Sequence, residues 1–538
     1  MHESERLPSP NSTTHTLRVW KEPIHKFIFK ATIVGLVVGL FISLFRMAVT
    51  EALHLVKDMF GYVQQHLIWV PVLIAGALLL AWVIGLLIKS DPLIKGSGIP
   101  QVEGQLVNEL HMNWLSVFIK KFVGGTLAIG SGLFLGREGP SIQLGAALGQ
   151  GIHRLSGNRS VFEEKFLLTC GASAGLSAAF NAPLAGVLFV LEEVHRHFSP
   201  IILLTVMTSS VTADVVASQF FGLTPVLSFG HLESLPIKDY GFLLLLGAML
   251  GVAGMIYNKT LLMTQSIYQR ITWLPGHLHG IFPFILMVPL GLLAPQMLGG
   301  GHDIIVSLHQ QAFSLIALVI LLLVRYLFSL ICYGSGLPGG IFLPMLALGS
   351  LVGAILGQLF VSVFGLDPMF VNNMVILAMA GFFTAVVKAP ITGSLLITEM
   401  TGSFATLLPV IIVSLTAYVI SDLLKTKPIY EELLHRLTTP FKEAMDHQLE
   451  SRETAKELIE IPIVIGSKAE NQYIRDLNWP RQALLIAVKR GGLEIIPKGD
   501  TKLRAGDSIL ILTDDYTLSE VKQEMNMLCT DCSSYDRE

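Results

Sequence analysis

The sequence predicts a polytopic α-helical membrane protein with a small soluble α+β domain at its C-terminal end. Three observations predict it. The 538-residue chain is 52% hydrophobic and only 14% charged, with a mean hydropathy of +0.62; soluble domains carry roughly a quarter charged residues. Charges crowd the two ends and thin out between residues 31 and 424. Leu67–Ile88 and His279–His302 hold none, and Tyr326–Val387 holds only Asp367. From Glu450 onward the composition turns to that of a soluble domain.

Runs of about 20 apolar residues are long enough to span a bilayer, and the chain offers about ten, several broken by Gly and Pro. The N-terminal stretch, residues 1–20, is polar and reads as a disordered tail rather than a signal peptide. Arg18, Lys21, Lys26 and Lys30 precede the first apolar run; Lys425, Lys427, Arg436 and Lys442 follow the last. The positive-inside rule then places both termini in the cytoplasm. The net charge of −3 gives no case for nucleic acid. Cys170 and Cys332 read as packing residues. Cys529 and Cys532 form a CxxC in the polar tail, read as an incidental reduced pair.

The membrane region repeats itself. Ala182-Pro183-Leu184-Ala185-Gly186 is followed by Glu192, and Ala389-Pro390-Ile391-Thr392-Gly393 by Glu399, each Glu ten residues after its Ala. Leu144-Gly145 and Leu148-Gly149 precede the first stretch as Leu348-Gly349 and Val352-Gly353 precede the second. Two related halves follow, 30–220 and 235–430, parallel or inverted. Broken helices at matching places in such halves point to a transporter's central binding site.

Backbone in hydrocarbon must satisfy its own hydrogen bonds, so a Gly/Pro break is tolerated only where it lines a cavity. A new helix N-terminus presents free N–H groups with a positive dipole end behind them, and so binds anions without a full charge. Three breaks fit: Gly96-Ser97-Gly98-Ile99-Pro100, Gly136-Arg137-Glu138-Gly139-Pro140 and Gly339-Gly340-Ile341-Phe342. Ser97 offers a hydroxyl donor, and Ile341 and Phe342 offer amides. Glu138 sets a carboxylate where an anion would sit, and an ionisable group at membrane depth is a functional hypothesis by default. Ionised, it competes with the anion for the same donors; protonated, it can leave. No cofactor is needed.

Glu192 and Glu193 would face about 100° apart on a helix, one bonding to structure while the other faces an aqueous path. His195 and His197, two apart, do not share a helix face and make a poor metal pair. Gly171-Ala172-Ser173-Ala174-Gly175 fits a hydrolase GxSxG, but lacks the strand-to-helix turn that motif requires and reads as helix packing by small residues. The chain is therefore read as no enzyme. A signalling receptor with the tail as output is the remaining rival.

The three breaks resemble the signature segments of the CLC chloride channel and transporter family. With Asn181-Ala182-Pro183-Leu184-Ala185-Gly186 and Lys427-Pro428-Ile429-Tyr430, the likeness covers residues 20–440. It implies two inverted repeats of tilted, broken helices within a transmembrane domain, residues 21–445, that pairs into a homodimer in the lipid bilayer. It implies that Ser97 and Tyr430 hold the central chloride by their hydroxyls and Ile341 and Phe342 by their amides. Glu138 matches the gating glutamate and Glu193 the internal proton-transfer glutamate of chloride/proton antiporters. Lys121 matches a buried basic residue near the pathway; Gly96, Gly98, Ile99, Pro100, Gly136, Arg137, Gly139 and Pro140 complete the supporting motifs. A passive chloride channel of the same fold is the alternative. Gln101 departs from the family's Glu, while Glu103 keeps it.

In the tail, strands are expected at Ile459–Ile465, Ala483–Val488, Leu493–Pro497 and Ser508–Leu512, a turn at Arg504–Asp507, and a helix at Tyr516–Leu528. Gly499-Asp500-Thr501 and Ala505-Gly506-Asp507 make residues 455–530 resemble a TrkA-C module. That likeness implies a bacterial plasma-membrane protein with a dimeric cytoplasmic regulatory domain. Its candidate ligand is a small nucleotide such as cyclic di-AMP; a passive assembly domain is the other reading.

Overall fold

The computed structural model describes residues 24–530 except 108, 158–160, 195–199, 228, 231–232, 234, 312, 450–455, 465, 481, 491–492 and 515–517. The tail expected at 1–20, with Arg18, and also Lys21, His195, Arg196, His197 and Cys532 lie outside the described residues. Chain contacts divide the molecule into two units, 1–438 and 439–538.

The first unit is helical and falls into two series of eight. The first series is α1 (Ile24–Gln65), α2 (Val70–Ser90), α3 (Ile99–Leu106), α4 (Trp114–Gly130), α5 (Glu138–Leu155), α6 (Val161–Phe180), α7 (Pro183–Phe189) and α8 (Pro200–Phe221). The second is α9 (Gly241–Gln269), α10 (Ile281–Leu293), α11 (His302–Gln310), α12 (Leu315–Gly334), α13 (Phe342–Phe364), α14 (Val371–Val387), α15 (Pro390–Thr401) and α16 (Leu407–Leu423). α17 (Ile429–Leu449) follows. The third member of each series is short, the fifth starts at a glycine-rich break, and the seventh starts at a proline. A proline at the first helical position gives up an N–H that has no partner there anyway.

Eight helical stretches among the described residues are long and apolar enough to cross a membrane, fewer than the ten apolar runs of the sequence. The breaks account for the difference, because they turn apolar sequence into short helices such as α3, α7 and α10. Burial separates inner from outer spans: the stretch Pro368–Val387 is 89% buried, Leu67–Ser90 only 33%. Trp82 and Leu79 on the latter are exposed, as a lipid-facing surface requires.

Equivalent helices pack equivalently. α5 lies along α6 and α13 along α14; α1 lies along α8 and α9 along α16. Gly145 and Gly149 of α5 oppose Gly171 and Leu167 of α6 backbone to backbone, so the small residues around Ser173 form a packing seam. The halves meet at a reciprocal cap. Glu192, on the π-helical turn Val190–Val194 after α7, accepts from the amides of Ile391 (3.2 Å) and Thr392 (2.7 Å) at the start of α15. Glu399 of α15 accepts from Leu184 (3.1 Å) and Ala185 (2.7 Å) at the start of α7. Each helix end caps the other's beginning, so α7 and α15 run antiparallel about a local two-fold. An axis that reverses the helices it relates makes the halves inverted repeats.

The second unit has a four-stranded antiparallel sheet, order β1-β4-β2-β3, from β1 (Lys456–Pro462), β2 (Leu484–Arg490), β3 (Leu493–Ile495) and β4 (Ser508–Asp514). α18 (Leu518–Cys529) packs on it. Ile459, Ile461, Val488, Ile509, Ile511, Val521 and Met525 make its core. β1 begins and ends three residues earlier than expected, because its antiparallel partner β4 begins only after the Arg504–Asp507 turn and Ile463 bonds to that turn instead. β3 stops short of Pro497, which has no N–H to donate.

Candidate anion site

The three glycine-rich breaks interlock. Gly136 and Gly340 exchange both backbone hydrogen bonds at 2.7 Å, and the amide of Gly339 donates to Gly96 O at 3.0 Å. Gly139 closes the third side: a Cβ there would lie 2.8 Å from both Cβ and O of Ser97, so only glycine lets α5 begin against Ser97. Gly98 holds φ at +91°, a conformation that side chains resist, and from it α3 starts. Arranged this way, the N-termini of α3, α5 and α13 converge in the protein interior.

Every proposed ligand group is buried there: Ser97, Glu138, Ile341, Phe342 and Tyr430. Ile341 caps α13 and Phe342 opens it, so their amides have no intrahelical acceptor. The Tyr430 hydroxyl makes no hydrogen bond to any described residue. It lies within electrostatic reach of Glu138, Glu193 and Tyr333. A buried hydroxyl left unpaired is expensive, and an anion would satisfy it. Phe342 packs at 5.2 Å from Phe180, 5.8 Å from Phe189 and 4.8 Å from Phe383 between ring centroids. Phe189 in turn packs edge-on to Tyr430 at 6.3 Å. These rings wall the point at which the donors aim.

Glu138 opens α5 with Arg137 as its cap residue. Its carboxylate sits beside the amides of Glu138 itself and Leu343, one from each of α5 and α13, yet neither oxygen completes a direct hydrogen bond to a described residue. Arg137 Nε stands 3.9 Å from Oε1. Glu193 is buried on the π-turn; such turns recur at functional sites. Glu192 is bound into the reciprocal cap.

Lys121 is fully buried and donates to the carbonyls of Ile94 (2.8 Å) and Gly96 (2.7 Å). It thus steadies the turn that carries Ser97. Gln101 Nε2 donates to Lys95 O at 2.8 Å; a glutamate could not make that bond, which gives the departure from the family pattern a physical reason. Ile99 donates to Ser97 Oγ at 3.3 Å, and Pro100 lies in the first turn of α3. Pro140 is buried in the first turn of α5.

Two cavities approach the site. One of about 550 Å³ reaches Ser97 and Tyr333 and is edged by Lys95 and Arg436. The other, about 470 Å³, reaches Arg137 and Leu343. Among its walls is Arg46, which sequence reasoning missed. The signal was present, since Arg46 is a charge inside the apolar stretch of α1. No group of three or more metal-ligating side chains occurs among the described residues.

Comparison with known proteins agrees with this architecture. The voltage gated chloride channel family profile matches residues 76–422, and the TrkA-C domain profile matches 458–526. The chain is 36% identical over 423 residues to the H(+)/Cl(−) exchange transporter ClcA of Salmonella schwarzengrund (strain CVM19633), covering 76% of this chain and 88% of that one. The same identity and coverage hold for the ClcA of Citrobacter koseri (strain ATCC BAA-895 / CDC 4225-83 / SGSC4696). Among solved structures, a slow cyanobacterial Cl−/H+ antiporter superposes with a TM-score of 0.73 at 30% identity, over 78% of this chain and 98% of that chain. A CLC-type fluoride/proton antiporter shares the fold at TM-score 0.62 and 22% identity, over 77% of this chain and 97% of that one. On its profile match, its relatives and its fold, the chain belongs to the voltage gated chloride channel (CLC) family.

Proposed function

We propose that this chain exchanges chloride for protons across a bacterial plasma membrane, as a homodimer with both termini in the cytoplasm. The supporting observation is the convergence of three helix N-termini and two buried hydroxyls on the carboxylate of Glu138. Chloride entering there exchanges its hydration shell for the amides of Ile341 and Phe342 and the hydroxyls of Ser97 and Tyr430. These are dipoles and partial charges, so the ion is held firmly enough to enter and loosely enough to leave. The Glu138 carboxylate, when ionised, is drawn to the same donors and excludes chloride from them. Protonation removes that attraction, the side chain withdraws, and chloride takes its place. Glu193, buried toward Tyr430, passes protons between Glu138 and the opposite face. Lys121 holds the Ser97 turn and adds positive potential without touching the ion.

The division of labour is a transmembrane exchanger, residues 21–445, and a cytoplasmic regulatory domain, residues 455–530. The TrkA-C likeness supports a dimeric sensor of a small nucleotide. The proposed coupling is tested by Glu138→Gln and Glu193→Gln in liposomes. Each is expected to pass chloride while moving no protons against their gradient. Retained coupling in either variant would remove that glutamate's assigned role, and a wild-type protein that never couples would leave the passive-channel reading.

A further inference from the structure

The cavity at Arg137 is lined by three cationic side chains, Arg46, Arg137 and Lys57, with His54 and His302 beside them. The single acid among its lining residues is Asp303, and Lys57 already bonds to it.

Two guanidiniums are fixed in its depth by separate devices. Arg46 stacks on Phe221, 3.8 Å from the ring centroid, and donates to Asn181 Oδ1 at 2.5 Å. Asn181 is itself held in a left-handed conformation, φ +52°, and anchors its amide on Gly222 O at 3.2 Å. Arg137 donates to Thr50 Oγ1 at 3.2 Å, and its buried Nε makes no hydrogen bond to a described group but stands 3.9 Å from Glu138 Oε1. Each guanidinium offers five N–H donors in a planar fork, and these bonds take one from each. Like charges fixed on one cavity repel; Glu138 beside Arg137 and Asp214 near Arg46 offset part of that charge, and an anion between the guanidiniums would offset more.

A chloride ion is a sphere and gains nothing from a planar fork. Oxygen pairs on a polyatomic anion do, because guanidinium and oxyanion match bidentately. We infer that this cavity is a binding site for a tetrahedral oxyanion of the sulfate or phosphate class, which spans Arg46 and Arg137 and plugs the path to Glu138. The cavity does not reach Ser97, Ile341, Phe342 or Tyr430, so the bound anion is a blocker and not a transported ion. Binding stands on the cavity alone; the block rests on the transport reading above.

Inorganic sulfate is the probe. Titrated calorimetrically into detergent-solubilised full-length protein in chloride-free gluconate buffer, it is expected to bind one per subunit. The affinity should fall at least tenfold in Arg46→Gln and several-fold in Lys57→Gln, a rim position whose loss spares the packing. No heat beyond a gluconate control, or affinity unchanged in both variants, would overturn the site. In liposomes, sulfate on one face only should slow chloride flux, and slowing from neither face or equally from both would overturn the block. If the protein carries no chloride at all, the transport reading fails, while calorimetry still decides the site.

Discussion

At Gly139 and Tyr430 the proposed function rests on single atoms. A methyl group on Gly139 would have to share space with Ser97, pushing that hydroxyl away from the donors of α13. Gly139→Ala is therefore expected to weaken chloride binding at least tenfold, read by calorimetry, with the fold retained. Unchanged affinity would mean that the contact with Ser97 positions nothing. Tyr430→Phe deletes one hydrogen bond to an anion, worth about 1.5–3 kcal/mol, or roughly tenfold or more in chloride affinity. No loss would show that its unpaired hydroxyl faces something other than the ion. Ser97 and Glu138 stood out as candidates in the sequence because Gly, Pro and polar residues contrast with apolar surroundings; Tyr430 entered only through the family resemblance. The pairing of Arg46 with Asn181 was not legible, since it depends on Phe221 and Gly222, contributed by a distant segment.

Between helices, the reciprocal caps of α7 and α15 hold the halves together. Each glutamate satisfies two N–H groups that a helix start would otherwise leave without partners. Glu192→Ala and Glu399→Ala should each destabilise the membrane unit by about 1–2 kcal/mol, seen as a lower melting temperature in detergent, with proton coupling intact in whatever remains folded. A variant that melts normally but loses coupling would contradict the structural role and move Glu192 into the proton path. The repeat of Ala-Pro-x-x-Gly with a glutamate ten residues on was visible from the start. That each glutamate serves the other half was not, because the partners lie about two hundred residues apart (391 and 392 against 192). In the sequence the inversion of the halves came from the family resemblance alone, since a repeat in sequence carries no direction. In the tail, element types were legible from alternation, but β1 and β3 ended where pairing partners and Pro497 dictated.

Across the whole molecule, the two units answer to different chemistry. In the C-terminal unit Asp507 takes a two-pronged hydrogen bond from Arg490 (2.8 and 2.7 Å) and one from the amide of Arg504 (2.8 Å). Burial pushes its carboxyl up, but these donors and the charges of Arg490 and Arg504 outweigh it, and the acid is held below its ordinary value. Its stabilising contribution is thus present above the unfolded aspartate value of about 3.9 and is lost as pH falls through the lower folded value. Acid unfolding of this unit, followed by hydrogen exchange in the full chain, should begin at higher pH in Asp507→Ala than in the wild type. Identical acid profiles would refute the role. The membrane unit carries all of the proposed ion chemistry, so protein lacking residues 450–538 should still exchange chloride for protons; loss of flux in a folded truncation would make the tail part of the pathway.

The most direct test of the central claim is made on purified wild-type protein in liposomes with a chloride gradient and equal pH on both sides. Coupled exchange predicts that chloride moving down its gradient drives protons uphill, building a pH difference that Glu138→Gln abolishes. Chloride that dissipates with no proton movement, with the membrane potential clamped, would contradict it.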